Sequence, residues 1–364
     1  MVDVVALVVL LVMYAAVMAV GIIAARLYKA KDGTTQTEMA LVAGRQLSGI
    51  VGIFTMTATT VGGGFINGTA ESVATWGLAW TLAPFGIFIG LILAGVVFAK
   101  KMRNQNYLTM LDPFQDRYGD FTVGLLYLAA VCGDLFWSAS ILAALGSTLS
   151  VIINLDVIPS VLISAAVAVG YTLFGHMISV AYTDIIQLVL IVVGLVLCVP
   201  FAMTHPQVMP LSRSAGVWIG SIDTRMTAQW IDLFIAMTLG TIPWQTYFQR
   251  VLSVKTAHQA QLFSICAAGG ALVLSVPPVL IGAVGASANW TGVGAVSPVT
   301  LNQSAIILPQ VLNHFTPRPV AIIGLGAVAA AVMSSTDSAI YPQLLCSHTM
   351  CMPSSSIKRD QTRN

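Results

Sequence analysis

The sequence predicts an all-α protein that crosses a membrane many times. Three observations predict it. The 364 residues are 57% hydrophobic and only 8% charged, with mean hydropathy +0.87, whereas soluble domains carry about 25% charged residues. Apolar runs of about 20 residues, enough to span a bilayer as helix, recur along the chain. One such run, Phe54–Gly68, carries four threonines and Gly62-Gly63-Gly64. Each glycine costs a helix about 1 kcal/mol relative to alanine. Within lipid, a broken helix is tolerated only where its freed backbone groups face protein, water or a ligand. The run reads as an unwound span that holds an ion or solute on carbonyls and hydroxyls, or more plainly as a small-residue packing face.

Taken in order, nine spans are expected, near residues 4–25, 49–73, 76–99, 121–150, 157–175, 178–203, 228–248, 260–285 and 317–340. They leave no room for a separate soluble domain. The division is a transmembrane region over 1–340 and a polar tail over 341–364. The N-terminal Met-Val-Asp lacks the basic region of a cleavable signal, so the first span is expected to be retained. Of the five cysteines, Cys132, Cys198 and Cys266 lie in apolar runs and read as small core hydrophobes.

Basic residues orient the chain. With the N-terminus outside, Arg26, Lys29, Lys31, Arg45, Lys100, Lys101, Arg103, Arg117, Arg250, Lys255, Lys358, Arg359 and Arg363 face the cytoplasm. Only Arg213, Arg225 and Arg318 of the 16 Lys and Arg then face out. The sequons at Asn289 and Asn302 fall in a loop expected to face outward, where glycosylation is possible. A third match, at Asn67, lies on the broken span and reads as accidental.

No Lys or Arg falls inside an expected span, but acids do. Asp134, Asp184 and Asp337 are the deepest, with Glu71 and Asp232 nearer span ends. An intramembrane carboxylate is costly and marks a functional candidate. Acids without basic partners suit a cation. Four stretches gather such chemistry. The broken span offers the carbonyls of Ala58 and Val61 and the hydroxyls of Thr57, Thr59 and Thr60. The ninth span carries Ser334-Ser335-Thr336-Asp337-Ser338, five polar side chains in a membrane run. Their oxygens suit a hard cation such as sodium, although hydroxyls also bond back one helical turn. Asp184 and Gln187 share a helix face at the start of the sixth span, which is equally an ordinary helix start. Trp137 and Trp244 are candidates for cation–π binding of a quaternary ammonium, worth up to ~2 kcal/mol per ring. Tyr247 and Phe248, beside Arg250, read instead as an interfacial belt, and Pro243 should kink or break the seventh span.

No Walker loop, metal-binding His cluster or Ser–His–Asp set is present in the sequence, so the chain is read as no enzyme, and any transport as gradient-driven. Nothing resembles a nucleic-acid-binding face. The lipid bilayer and a small solute are the expected partners, and a homo-oligomer is admitted.

Together, Gly52–Thr59, Val61–Glu71, Thr109–Gln115, Ser179–Asp184, Ile242–Gln245, Tyr247–Leu252, Gly324–Val328 and Ala331–Ser335 resemble the sodium/solute symporter family, in its choline-transporting branch. The resemblance implies an inverted five-plus-five, leucine-transporter-like repeat after one extra N-terminal helix. It implies plasma-membrane symport of a small organic solute, choline first. The sodium ligands it implies are the carbonyls of Ala58, Val61 and Ala331 and the hydroxyls of Ser334 and Ser335. A second sodium would use Asp184. Trp137 and Trp244 correspond to walls of an aromatic cage; the branch has tryptophan in place of Thr60 and tyrosine in place of Ile87. Losing two walls could weaken choline binding by about 1–4 kcal/mol, which leaves another small cationic or neutral solute open. Chloride dependence belongs to the branch too, with no residue here to assign. Similarity breaks off after Ile340, so the second repeat is expected to be incomplete and a non-transporting truncated form is the alternative.

Overall fold

A computed structural model of the protein describes residues 4–27, 36–153, 156, 158–162 and 177–351. Described backbone is nearly all helical, and among the described residues no strand forms beyond two isolated bridges, Leu47 with Val254 and Val208 with Ala288. α1 is Val4–Leu27 and α2 Gln36–Val42. The expected second span is two helices, α3 Gly49–Thr60 and α4 Gly63–Trp76, bent by 49° at the break. The third is α5 Ala83–Leu93, a π-turn over Ala94–Ala99, and α6 Lys100–Asn104. α7, Asp112–Ile153, holds the fourth, and α8, Met177–Met203, the sixth. After the short α9, Ala215–Trp218, the seventh is again broken, into α10 Thr227–Gly240 and α11 Gln245–Ser253. α12 Ala257–Leu274 and α13 Val276–Ser287 form the eighth, α14 is Ile307–Phe315, and α15 is Arg318–Cys351.

By length and apolarity, six of these stretches can cross a membrane, seven with the bent pair counted. They correspond to seven of the nine expected spans. The expected fifth, 157–175, lies outside the described residues but for 158–162. The seventh differs because Pro243 interrupts it and leaves two helices too short to qualify. α15 passes residue 340 without a break.

Local chemistry explains the helix ends near the site. Ser48 caps α3, its Oγ accepting from Val51 N at 3.3 Å, and Thr256 caps α12 by accepting from Gln259 N at 3.2 Å. Pro277 and Pro278 start α13, where a missing amide costs nothing. Between Ser48 and Thr256, backbone ties α3 to α11: Leu47 N donates to Ser253 O at 3.1 Å and Lys255 N to Leu47 O at 3.2 Å. Arg103 adds to this clasp, donating to Val254 O at 2.7 Å and Lys255 O at 3.1 Å.

Among the described residues, buried apolar side chains gather in two clusters. One joins α4, the second half of α8, α13, α14 and α15; the other joins α2, α3, α11 and α12. The glycine break falls where one gives way to the other: Met56 belongs to the second, Val61 and Phe65 to the first. Of the cysteines, Cys198 is buried as expected, but Cys132 and Cys266 are exposed. The outer faces of membrane helices are apolar too, so an apolar run does not by itself place a residue inside.

Candidate functional site

The broken span gives α3 a C-terminus inside the molecule. Val61 N still donates to Thr57 O at 2.9 Å, and Ile66 N restarts the ladder on Gly62 O. The carbonyls in between, from Ala58 to Val61, lie at a helix end, where onward amides are lost. Ala58 and Val61 are fully buried. The glycines explain how α15 comes so close. A Cβ on Gly62 would lie 1.5 Å from Ser335 Oγ, and one on Gly63 2.1 Å from Val332 Cγ2. A Cβ on Gly64 would point the other way, 2.9 Å from Ser140 Oγ on α7. Ser140 Oγ in turn donates to Trp137 O at 2.7 Å. Three consecutive glycines therefore seat the break between α15 on one side and the Trp137 turn of α7 on the other.

On α15 the polar run is wholly buried, from Ser334 to Ser338. Ser335 Oγ donates to Thr59 O at 3.3 Å and Ser334 Oγ to Asp184 Oδ1 at 2.5 Å. A hydroxyl that donates its only proton keeps its lone pairs for a cation. Ser335 thus meets the break at Thr59 and Gly62, while Ser334 turns to Asp184 on α8. Thr336 instead bonds back to Val332 O at 2.8 Å, and Thr60 to Met56 O at 2.8 Å. Those two hydroxyls are spent within their own helices.

Sequence reasoning missed Arg250. It was expected in a cytoplasmic loop, but it is fully buried on α11. Its Nη2 donates to Asp184 Oδ2 at 3.3 Å and to Ser338 Oγ at 2.6 Å. Nε donates to Thr55 Oγ1 at 3.1 Å, Nη1 to Thr246 O at 3.2 Å. Thr55 Oγ1 donates to Asp184 Oδ2. Asp184 therefore has a basic partner, which corrects the reading of the intramembrane acids as unpaired. The signal that could have found Arg250 was Asp184 itself, since a buried charge requires compensation. Tyr247 and Phe248 are buried as well, with Tyr247 Oη 2.9 Å from Ser264 Oγ. They belong to the second apolar cluster, not to an interfacial belt.

Trp137 and Trp244 come together, ring centroids 5.7 Å apart and 74° from parallel. The break before α11 produces this: Trp244 is its N-cap, in extended backbone, so its ring leaves the helix path. Ile87 packs against both apolar clusters, Trp137 against the first and Trp244 against the second. Among the sequons, Asn289 and Asn302 are exposed, while Asn67 is buried with Nδ2 donating to Ala144 O and Ser147 Oγ.

The family model described as "Sodium:solute symporter family" matches residues 41–352. The chain belongs to the sodium:solute symporter family. It is 49% identical over 342 residues to the high-affinity choline transporter 1 of Drosophila melanogaster, covering 93% of this chain and 55% of that protein. Against the Homo sapiens transporter of that name it is 48% identical over 345 residues, covering 92% and 60%. The Caenorhabditis elegans one is 47% identical over 357 residues, 93% and 62%. The chain thus spans a little over half the length of these relatives. A solved structure of a Na+-coupled sialic acid symporter, substrate-bound and outward-open, matches with TM-score 0.75 at 16% identity, over 98% of this chain and 77% of that one. At that identity the likeness speaks for the fold alone, an all-α, leucine-transporter-like one.

Proposed function

We propose that the chain carries the sodium and solute sites of a plasma-membrane symporter whose solute is a small organic cation, choline first. The observation that carries the proposal is the seating of Gly62–Gly64. One side of that turn meets Ser335 and Val332, and the other meets Ser140, one turn from Trp137. A cation on the Ala58, Val61 and Ala331 carbonyls and the Ser334 and Ser335 hydroxyls would order the break. The ordered break would then hold the wall of a solute pocket at Trp137, Trp244, Thr60 and Ile87. Such coupling is reciprocal: each ligand raises the affinity for the other by the same factor. The names of the relatives, at 47–49% identity, support choline. The aromatic pair supports a quaternary ammonium.

Asp184 remains the proposed ligand of a second sodium. That ion would share the carboxylate with the Arg250 guanidinium. The orientation proposed is N-terminus out, with glycans on the exposed Asn289 and Asn302. Residues 1–340 form the transmembrane unit and 341–364 the cytoplasmic tail. Chloride as a further ion and a homo-oligomer as the assembly are proposed on the choline branch alone and on no residue.

Sodium-dependent uptake of labelled choline by cells expressing the chain tests the reading. Uptake that persists with potassium replacing sodium would refute the coupling. Uptake that arises only when Thr60 and Ile87 are made aromatic would refute choline as the native solute.

A further inference from the structure

Gln187 lies on α8, one turn after Asp184, and is fully buried. No described residue pairs with its Oε1 or its Nε2. The polar neighbours on that layer are all engaged: Asp184 with Arg250, Thr55 and Ser334, and Ser338 with Arg250 and Thr59. A buried amide with both ends unpaired is costly, so its place in the fold asks what it serves.

The helix register answers. α8 and α15 run antiparallel in close contact. Asp184 meets Ser334, a Cβ on Gly194 would lie 2.4 Å from that of Ala327, and Cys198 Sγ lies 3.5 Å from Val320 O. Asp184, Gln187, Ile191, Gly194 and Cys198 follow one another at helical spacing along one buried face. Interpolating between Ser334 and Ala327 sets Gln187 opposite Ala331, whose carbonyl is one of the proposed sodium ligands. Nothing else on that face between Asp184 and Cys198 is polar except the Gln187 amide.

We infer that Gln187 is a further ligand-bearing residue of the sodium site, its Oε1 supplying an oxygen to the cation from the α8 side. An amide oxygen is a neutral, hard donor of the kind this cation takes. It adds no charge where Asp184 is already balanced by Arg250. The site then draws oxygens from three helices, α3, α8 and α15, so that sodium ties the scaffold helix α8 to the broken span. This inference rests on the sodium reading above.

The test is sodium-dependent thermal stabilisation of the purified full chain in detergent, at constant ionic strength with potassium replacing sodium. The expected result is a sodium-specific rise in unfolding midpoint. Gln187→Leu should raise the half-saturating sodium concentration about ten- to hundredfold, the range found when groups supporting a metal site are removed. Gln187→Glu, which keeps the oxygen and adds charge, should lower it. Ser335→Ala separates the two readings. If Ser335→Ala weakens the response and Gln187→Leu leaves it unchanged, Gln187 is outside the site while the site stands. If the wild-type chain shows no sodium-specific shift, both readings fall together. Should Gln187→Leu not fold, Gln187→Glu decides alone, and an unchanged half-saturation overturns the inference.

Discussion

The two broken helices interrupt their spans by opposite means. The first breaks at Gly62–Gly64, where absent side chains let backbone press onto α15 and α7. The second breaks over Thr241–Trp244, where Pro243 removes an amide and Trp244, in extended backbone, stacks edge-on against Trp137. Both halves of the first have buried faces. In the second, α10 buries only Thr238, while every residue of α11 is buried. The glycine break therefore offers oxygens at close range and suits an ion. The proline break offers an aromatic surface and an anchored half-helix, and suits a solute. Arg250 holds that anchor, crossing from the second broken helix to Thr55 on the first.

The largest effect should come from cutting that link. Arg250→Met leaves Asp184 buried and uncompensated, and should destabilise the chain by about 3–5 kcal/mol. Adding Asp184→Asn should restore much of the loss, as read by denaturation in detergent. A double variant no better than the single one would mean that the pair does not join the two breaks.

Gly62→Ala comes next. Its Cβ would sit 1.5 Å from Ser335 Oγ, and overpacking of this kind costs about 1–3 kcal/mol or more. Gly68→Ala, with nothing within 4 Å of its Cβ, should instead stabilise by up to about 1 kcal/mol. Equal melting temperatures for the two variants would remove close approach as the reason for the glycines.

On the solute side, Trp137→Ala and Trp244→Ala should each weaken choline binding by up to ~2 kcal/mol, roughly thirtyfold, with sodium half-saturation in the absence of choline little changed. Radioligand binding with and without sodium separates these effects.

The smallest effect lies away from both breaks. Burial lowers the pKa of His314, on the short α14 beside Trp290. The unfolded chain takes up that proton near pH 6.5, before the folded one does. Stability is therefore full above about pH 6.5 and declines as pH falls below it. His314→Gln should flatten that decline between pH 7.5 and 5.5, and serves as a control that leaves both sites intact.

Much of the fold was legible because lipid constrains sequence so strongly. Seven of the nine expected spans correspond to helices or bent pairs that can cross a membrane, and Gly62–Gly64 stood out because three glycines in a row weaken a helix in the middle of an apolar run. The α15 hydroxyls were legible for the same reason. Arg250 was not. Beside two aromatics and after a proline, a charge reads as the end of a span, and only a partner 66 residues earlier in the chain makes it interior. Tyr247 went astray with it. Gln187 was noticed for sharing a face with Asp184, but its isolation depends on what α15 places opposite, which no local pattern contains.

The backbone clasp between Leu47 and Val254 has a consequence in time. The amides of Leu47 and Lys255 each bond across from one broken helix to the other. Neither exchanges with solvent unless the ends of α3 and α11 part. Their hydrogen-exchange rates therefore count separations of the two helices at that end of the molecule. Because the pair shares one opening event, the two amides should exchange in step, and added sodium should slow both by the same factor.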